Sequence, residues 1–341
     1  MAVTIKQIAE KAGVSRGTVD RALNFRKDIN PQQAERIRKI AEEMGYHPNR
    51  MARALAFSKN RIKIGVLLQF SHDAFAKNVM QGVEAAIAEM QRFQVDVIVK
   101  HEMFSSPEAT VQKMEELKIA GCRGIAMVPL DEEIVREKIN QFAKEGIFTV
   151  ALNADISDCD RLCFVGQDGW KSGQVAAGLM GEILPEGKNV LIISGHPANT
   201  NNSTRTNGFI TELRKIRPDI GEIYVEHAYE SNENAANFTR EYLRKDPSLG
   251  AIYLSAAGCT GVCKVVEEQQ LRGKLKVISN DLTDENRRNL HKGNVQFLLG
   301  QDAFAQGYQP IQILFKKLVD HQEPESEEQF TDIEIKTKYN L

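Results

Sequence analysis

From Lys63 onward, short apolar runs alternate with longer amphipathic ones, and this alternation constrains the fold more than any other feature of the chain. KIGVLLQ at 63–69, VDVIVK at 95–100, GIAMV at 124–128 and TVAL at 149–152 read as strands, with a brief one at 162–165. Helical spacing fills the gaps at 79–90, 107–120, 133–145 and 169–184. NVLIIS at 189–194 starts a second series, with strands at 222–228, 250–254, 276–279 and 296–300. Its helices fall at 204–217, 233–245, 261–270, 283–292 and 303–319, before a final strand near 332–336. Short strands this uniformly apolar belong to parallel sheets covered by helices on both faces. The repetition predicts two similar α/β halves.

Ligands of open α/β sheets sit beyond the carboxyl ends of the strands, and two facing halves enclose a cleft able to close. The strand ends therefore supply the candidate pocket. Phe70, Phe75, Asp131, Asn153 and Asp155 come from the first half, and Arg205, Asn280 and Asp281 from the second. Gln301 and Asp302 lie near a return crossing, while His196, Asn199, Asn201 and Asn202 add polar groups near Arg205. Aromatic faces beside carboxylate, amide and guanidinium groups suit the ring and hydroxyls of a sugar.

The first 61 residues have another character. Ile5, Ile8, Ala9 and Ala12 share one helix face, Thr4 and Gln7 have capping-box spacing, and Gly13 fits a left-handed helix end. Ser15 caps a second helix that turns Val19, Ala22 and Leu23 inward. Two short helices joined at a Gly-containing turn predict a helix-turn-helix, whose second helix can lie in a DNA major groove. Arg16, Thr18, Asp20 and Arg21 remain outside. Arginine can read guanine or hold phosphate, whereas Asp20 could accept from cytosine or restrain Arg16 or Arg21. Pro31–Met44 reads as a third helix. The helix-prone stretch 49–58 is short enough to need a partner. Its Arg50 and Arg53 suit phosphates, and Leu55 suits a wedge in the minor groove.

Charge supports the same division. The chain of 341 residues carries −2 overall, but residues 1–61 hold +7 and residues 62–341 hold −9. A basic head on an acidic body assigns DNA contact to the head. No apolar run reaches the roughly 18 residues of a membrane span, and the N-terminus lacks the pattern of a signal peptide. The expected location is cytoplasmic. Cys122, Cys159, Cys163, Cys259 and Cys263 are odd in number and fit a reducing compartment. No phosphate loop, metal cluster or Ser-His-Asp pattern points to an enzyme, and no cofactor is expected.

TIKQIAEKAGVSRGTVDRALN at 4–24, GYHPNRMARAL at 45–55 and IGVLL at 64–68 resemble the lactose-repressor and galactose-repressor family of bacterial regulators. FLLGQDAFAQGY at 297–308 is also similar to periplasmic sugar-binding proteins. The resemblance implies a two-lobed periplasmic-binding-protein-like α/β body with an N-terminal all-α helix-turn-helix head and a hinge helix. Residues 1–48 would form the head, 49–61 the hinge helix and linker, and 62–341 the effector-binding and dimerisation domain.

It further implies a homodimer on near-palindromic operator DNA, controlled by a sugar, modified sugar or sugar phosphate. Thr4, Ser15, Arg16, Gly17, Thr18, Asp20, Arg21 and Asn24 would face DNA, with Asn49, Arg50, Arg53, Ala54 and Leu55 from the hinge. Phe75, Arg205, Asp281 and Gln301 would surround the ligand. Asp20 departs from the serine usual after the TV of this motif. Ser255–Gly258 stands where relatives often carry an Asn-Asp pair, which weakens a plain pentose or hexose assignment. The alternative is a sugar-binding transport or chemosensory protein.

Overall fold

A computed structural model describes residues 3–23, 28–46, 61–70, 73–102, 106–197 and 199–341. It begins with three helices, α1 (Ile5–Ala12), α2 (Arg16–Leu23) and α3 (Pro31–Glu43). The Thr4 and Gln7 side chains each accept the other residue's backbone N–H, at 3.4 and 2.8 Å, which closes the capping box of α1. Gly13, at φ 68°, reverses the chain so that the Val14 N–H returns to the Ala9 carbonyl at 3.1 Å. Ile8, Val19, Ala22, Leu23, Ile37 and their neighbours bury one small core.

The body continues through β1 (Lys63–Gln69), α4 (Asp73–Arg92), β2 (Asp96–Glu102), α5 (Pro107–Ile119), β3 (Cys122–Met127) and α6 (Glu133–Lys144). After β4 (Phe148–Leu152) and β5 (Cys163–Gln167) come α7 (Gly169–Ile183), β6 (Asn189–Ser194), α8 (Thr200–Ile216), β7 (Ile223–His227) and α9 (Asn232–Lys245). The chain then forms β8 (Leu249–Leu254), α10 (Cys259–Glu268), β9 (Lys276–Asn280), α11 (Asp284–Lys292), β10 (Phe297–Gly300) and α12 (Ala303–Phe315). A π-helical turn, Lys316–Asp320, precedes β11 (Glu328–Thr331) and β12 (Glu334–Lys336).

Two six-stranded sheets result, ordered β11-β5-β4-β3-β1-β2 and β12-β10-β9-β8-β6-β7. All their ladders are parallel except β10 with β12. Each central strand is buried along nearly its whole length, as its unbroken apolar run requires. The alternation read from the sequence matches this architecture.

The lobes exchange helices. Although α7 follows a strand of the first lobe, its Ala176, Ala177 and Met180 pack on Val190, Ile192 and Phe209 of the second. Conversely, α12 leaves the second lobe and packs Ile311, Leu314 and Phe315 into the core of the first. The chain crosses a third time between β11 and β12, where the sequence predicts one strand. Each exchanged helix meets its neighbour through glycines. A Cβ on Gly82 or Gly307 would come within 2.0 or 2.1 Å of a carbonyl oxygen across the α4–α12 contact. Gly173 and Gly208 do the same between α7 and α8, at 2.1 and 2.3 Å.

Candidate functional site

The carboxyl ends of the strands converge on a cleft that opens to solvent. Phe70 and Phe75 stand edge to face at one wall, with ring centroids 5.3 Å apart. Asn153, Arg205, Asp281 and Gln301 form the polar part, joined by Asn199, Asn201 and Asn202. Local backbone geometry aims several of these groups. Asn153 at the end of β4 and Asp281 at the end of β9 hold φ 64° and φ 72°, left-handed values that Asn and Asp tolerate better than most residues.

Helix α8 begins at Thr200, four residues before the sequence-predicted start. The Asn199 side chain accepts from the N–H groups of Asn201 and Asn202 and caps the earlier turn. The extra turn places Asn201 and Arg205 at i and i+4 on one face.

Arg205 is only 2% exposed. One terminal nitrogen donates to Gln167 Oε1 and Gln301 Oε1, both at 2.9 Å, and the other to the Ser255 carbonyl at 3.3 Å. Burial pushes its pKa down, while the nearby Asp281 carboxylate opposes that shift. The network continues outward. Gln301 donates to Asp281 Oδ1 at 2.5 Å, and the Asn153 amide donates to Gln301 Oε1 at 3.3 Å and Gln306 Oε1 at 3.1 Å. Gln167 donates to the Gly300 carbonyl at 2.8 Å, and the Thr331 hydroxyl donates to the Gln301 carbonyl at 2.9 Å. All three crossings between the lobes therefore join the cleft's polar wall. Two buried atoms of that wall, Arg205 Nε and Asn201 Oδ1, make no hydrogen bond among the described residues.

Four sequence-predicted pocket residues, Asp131, Asp155, Asn280 and Asp302, lie off the cleft. Asp131 pairs with Arg136 at the start of α6. Asp155 is held by both forks of Arg161, at 2.6 and 2.7 Å, and its carbonyl accepts from the Thr200 hydroxyl. Asn280 is buried in the second sheet, where it donates to the Tyr253 hydroxyl and the Leu254 carbonyl. Asp302 caps α12. His196 lies beside the cleft, with its ring against Tyr229 at 5.5 Å. Conversely, Gln69 and Glu230 line the cleft without having been predicted. The end of β1 marks Gln69, which accepts from the buried Thr110 hydroxyl at 3.0 Å.

In the head, Thr4, Ser15, Arg16 and Gly17 are exposed, and Thr18, Asp20 and Arg21 are half-buried. Ser15 accepts from the Thr18 N–H at 3.1 Å and caps α2. The ion pair of Arg21 is with Asp28 at 3.9 Å. Asn24, Asn49, Arg50, Arg53, Ala54 and Leu55 lie outside the described residues.

Among the described residues, no group of three or more His, Cys, Asp and Glu could hold a metal ion. No described helix is long and apolar enough to cross a membrane.

Residues 4–49 match the family described as bacterial regulatory proteins, lacI family, and residues 64–322 match the periplasmic binding protein domain. The HTH-type transcriptional regulator MalR of Streptococcus pneumoniae is 26% identical over 279 residues, 80% of this chain and 81% of that protein. Catabolite control protein A of Priestia megaterium is 23% identical over 258 residues, 74% of each chain. The fold is shared with a solute-binding protein from Burkholderia graminis solved with D-arabinose, at TM-score 0.76 and 22% identity, covering 82% of this chain and 96% of that one. It is also shared with a LacI-type regulator from Bacteroides fragilis, at TM-score 0.75 and 18% identity, covering 82% and 98%. A helix-turn-helix head of that family, continuous in sequence with a two-lobed binding body, makes this chain a member of the lacI family of bacterial transcriptional regulators.

Proposed function

We propose that the chain is a cytoplasmic, non-enzymatic repressor that binds a near-palindromic operator as a homodimer and releases or tightens it when a sugar-like effector occupies the cleft. Residues 1–48 would read DNA, 49–61 would form the hinge helix on the operator, and 62–341 would bind effector and dimerise. Arg16, Gly17 and Arg21 are assigned to base reading, Arg50 and Arg53 to phosphates, and Leu55 to the groove wedge. Phe70, Phe75, Asn153, Arg205, Asp281 and Gln301 are assigned to the effector.

The polar network from Arg205 through Gln301 carries the coupling reading. It belongs at once to the cleft wall and to every crossing between the lobes. A ligand that bonds to Arg205, Asp281 or Gln301 acts directly on the segments that set the lobe angle. Coupling of about 1–3 kcal/mol would change operator affinity roughly 5–150-fold.

The test is an operator titration of the full chain at roughly 150 mM salt, where phosphate attraction alone is weakened. Sugars that raise its melting temperature are expected to shift the operator midpoint. Deleting residues 49–61 is expected to abolish tight binding. Unchanged operator affinity after that deletion would remove the hinge from the proposal, and ligand turnover would replace the regulator reading of the cleft with an enzymatic one.

A further inference from the structure

Glu230 lines the cleft beside Asn202 and Arg205, yet no strand end carries it. It follows β7 through a tight turn in which Tyr229 and Glu230 hold φ 51° and φ 60°, and the Ser231 N–H closes onto the Ala228 carbonyl at 3.0 Å. Two successive left-handed residues with side chains are costly, and such geometry persists where the surroundings impose it. The imposed result is a carboxylate delivered into the cleft. Glu230 Oε1 accepts from the His196 N–H at 3.0 Å and from the Asn202 amide at 3.2 Å. Glu230 Oε2 has no hydrogen bond among the described residues.

Gly195 makes room for this arrangement. A Cβ there would lie 2.1 Å from Glu230 Oε1 and 2.4 Å from the Asn202 amide nitrogen.

We infer that Glu230 sets the cleft's choice of ligand, favouring a non-anionic sugar (neutral or amino-bearing) and rejecting phosphorylated and acidic sugars. This rests on the sugar-effector reading and narrows it. Among the described residues, Glu230 and Asp281 are the anionic side chains of the wall, and Arg205 is its cation. Three of the five N–H groups of that guanidinium are engaged by Gln167, Gln301 and the Ser255 carbonyl, and its single positive charge stands against two carboxylates, which disfavours a phosphate there. The uncapped start of α10 is an anion-attracting feature nearby, but Asp281 and Glu285 flank it in the adjoining cavity. A carboxylate with one oxygen anchored and the other unspent accepts from hydroxyl or ammonium groups and repels a second anion.

The experiment uses the full chain and three sets of probes: neutral pentoses and hexoses, their amino-sugar counterparts, and the corresponding sugar phosphates and uronic acids. Thermal shift finds the binders, and calorimetry ranks them. In the wild type, a neutral or amino sugar is expected to bind at least about tenfold tighter than its anionic counterpart. Glu230→Gln keeps an oxygen acceptor for His196 and Asn202, so the ligand-free melting temperature should hold while that discrimination shrinks about tenfold. Glu230→Asp, which keeps the charge, should retain it. Tighter binding of an anionic sugar by the wild type, or unchanged ratios in Glu230→Gln, overturns the inference and leaves the effector reading standing. Failure of every probe to bind overturns both.

Discussion

The thiols of Cys122 and Cys163 are pushed up to about 11, in each case chiefly by burial, with Lys63 and Arg161 respectively pulling the other way. An unfolded chain would release these protons near pH 8.5. The folded state thus holds them between roughly pH 8.5 and 11, and their stabilising contribution is complete below that window and is lost as pH rises through it. The urea midpoint is expected to fall between pH 8 and pH 10, and to fall less in a Cys122→Ala, Cys163→Ala double variant. Equal pH dependence in the two proteins would remove the thiols from the explanation. Residue-level legibility in the sequence was uneven for a comparable reason. A strand end announces Phe70, Asn153 and Asp281, because periodicity locates strand ends. Glu230 depends on two left-handed φ values after an edge strand, and no spacing rule reports those. Asn280 ends β9, and Asp131 and Asp155 follow β3 and β4 by four and three residues, but Tyr253, Arg136 and Arg161 engage them first.

Helical periodicity identifies which face is buried but is silent on which helix meets it. The spacing of 169–184 and 303–319 marks two helices without showing that each packs in the lobe opposite the strand it follows. Their glycines explain the close fit. In α7, Gly173 has no room for a Cβ because the Arg205 carbonyl lies 2.1 Å from that position, whereas Gly178 has nothing within 4 Å. Gly173→Ala is therefore expected to cost about 1–3 kcal/mol or more by forcing α7 and α8 apart. Gly178→Ala should instead stabilise by about 0.5–1 kcal/mol through helix propensity. Denaturant midpoints check both, and a neutral Gly173→Ala would show that the two helices separate freely. Because the obstructing atom belongs to Arg205, the same substitution should also weaken ligand binding. The element boundaries that shifted have local causes, as with the Asn199 cap that starts α8 early.

For the molecule as a whole, exchanged helices and a third crossing make the lobes one cooperative body rather than two beads. Cutting the chain after Pro324 would remove β11 and β12 and leave two crossings. Calorimetry is expected to show a lower melting temperature and a transition broadened or split in two, with aggregation through the newly unpaired edge of β5. An unchanged single transition would mean that the last crossing does not couple the lobes. The two-lobed architecture was legible because alternating strands and helices admit few arrangements. Of the final pair, β12 answers to the strand expected near 332–336, whereas β11 was missed, since EQFT is too short and too polar to announce itself.

The pairing of β11 with β5 also sets an order of events during synthesis. Residues 328–331 form the outer strand beside 163–167, so the ribosome must make the whole second lobe before the first can complete its sheet. At roughly 5–20 residues per second, that edge stands open for about 10–30 s. Throughout this interval it is a template for any neighbouring strand, including the same edge on another nascent chain. The protein's yield in a cell is thus tied to translation speed and chaperone cover across the second lobe, even though the exposed edge belongs to the first.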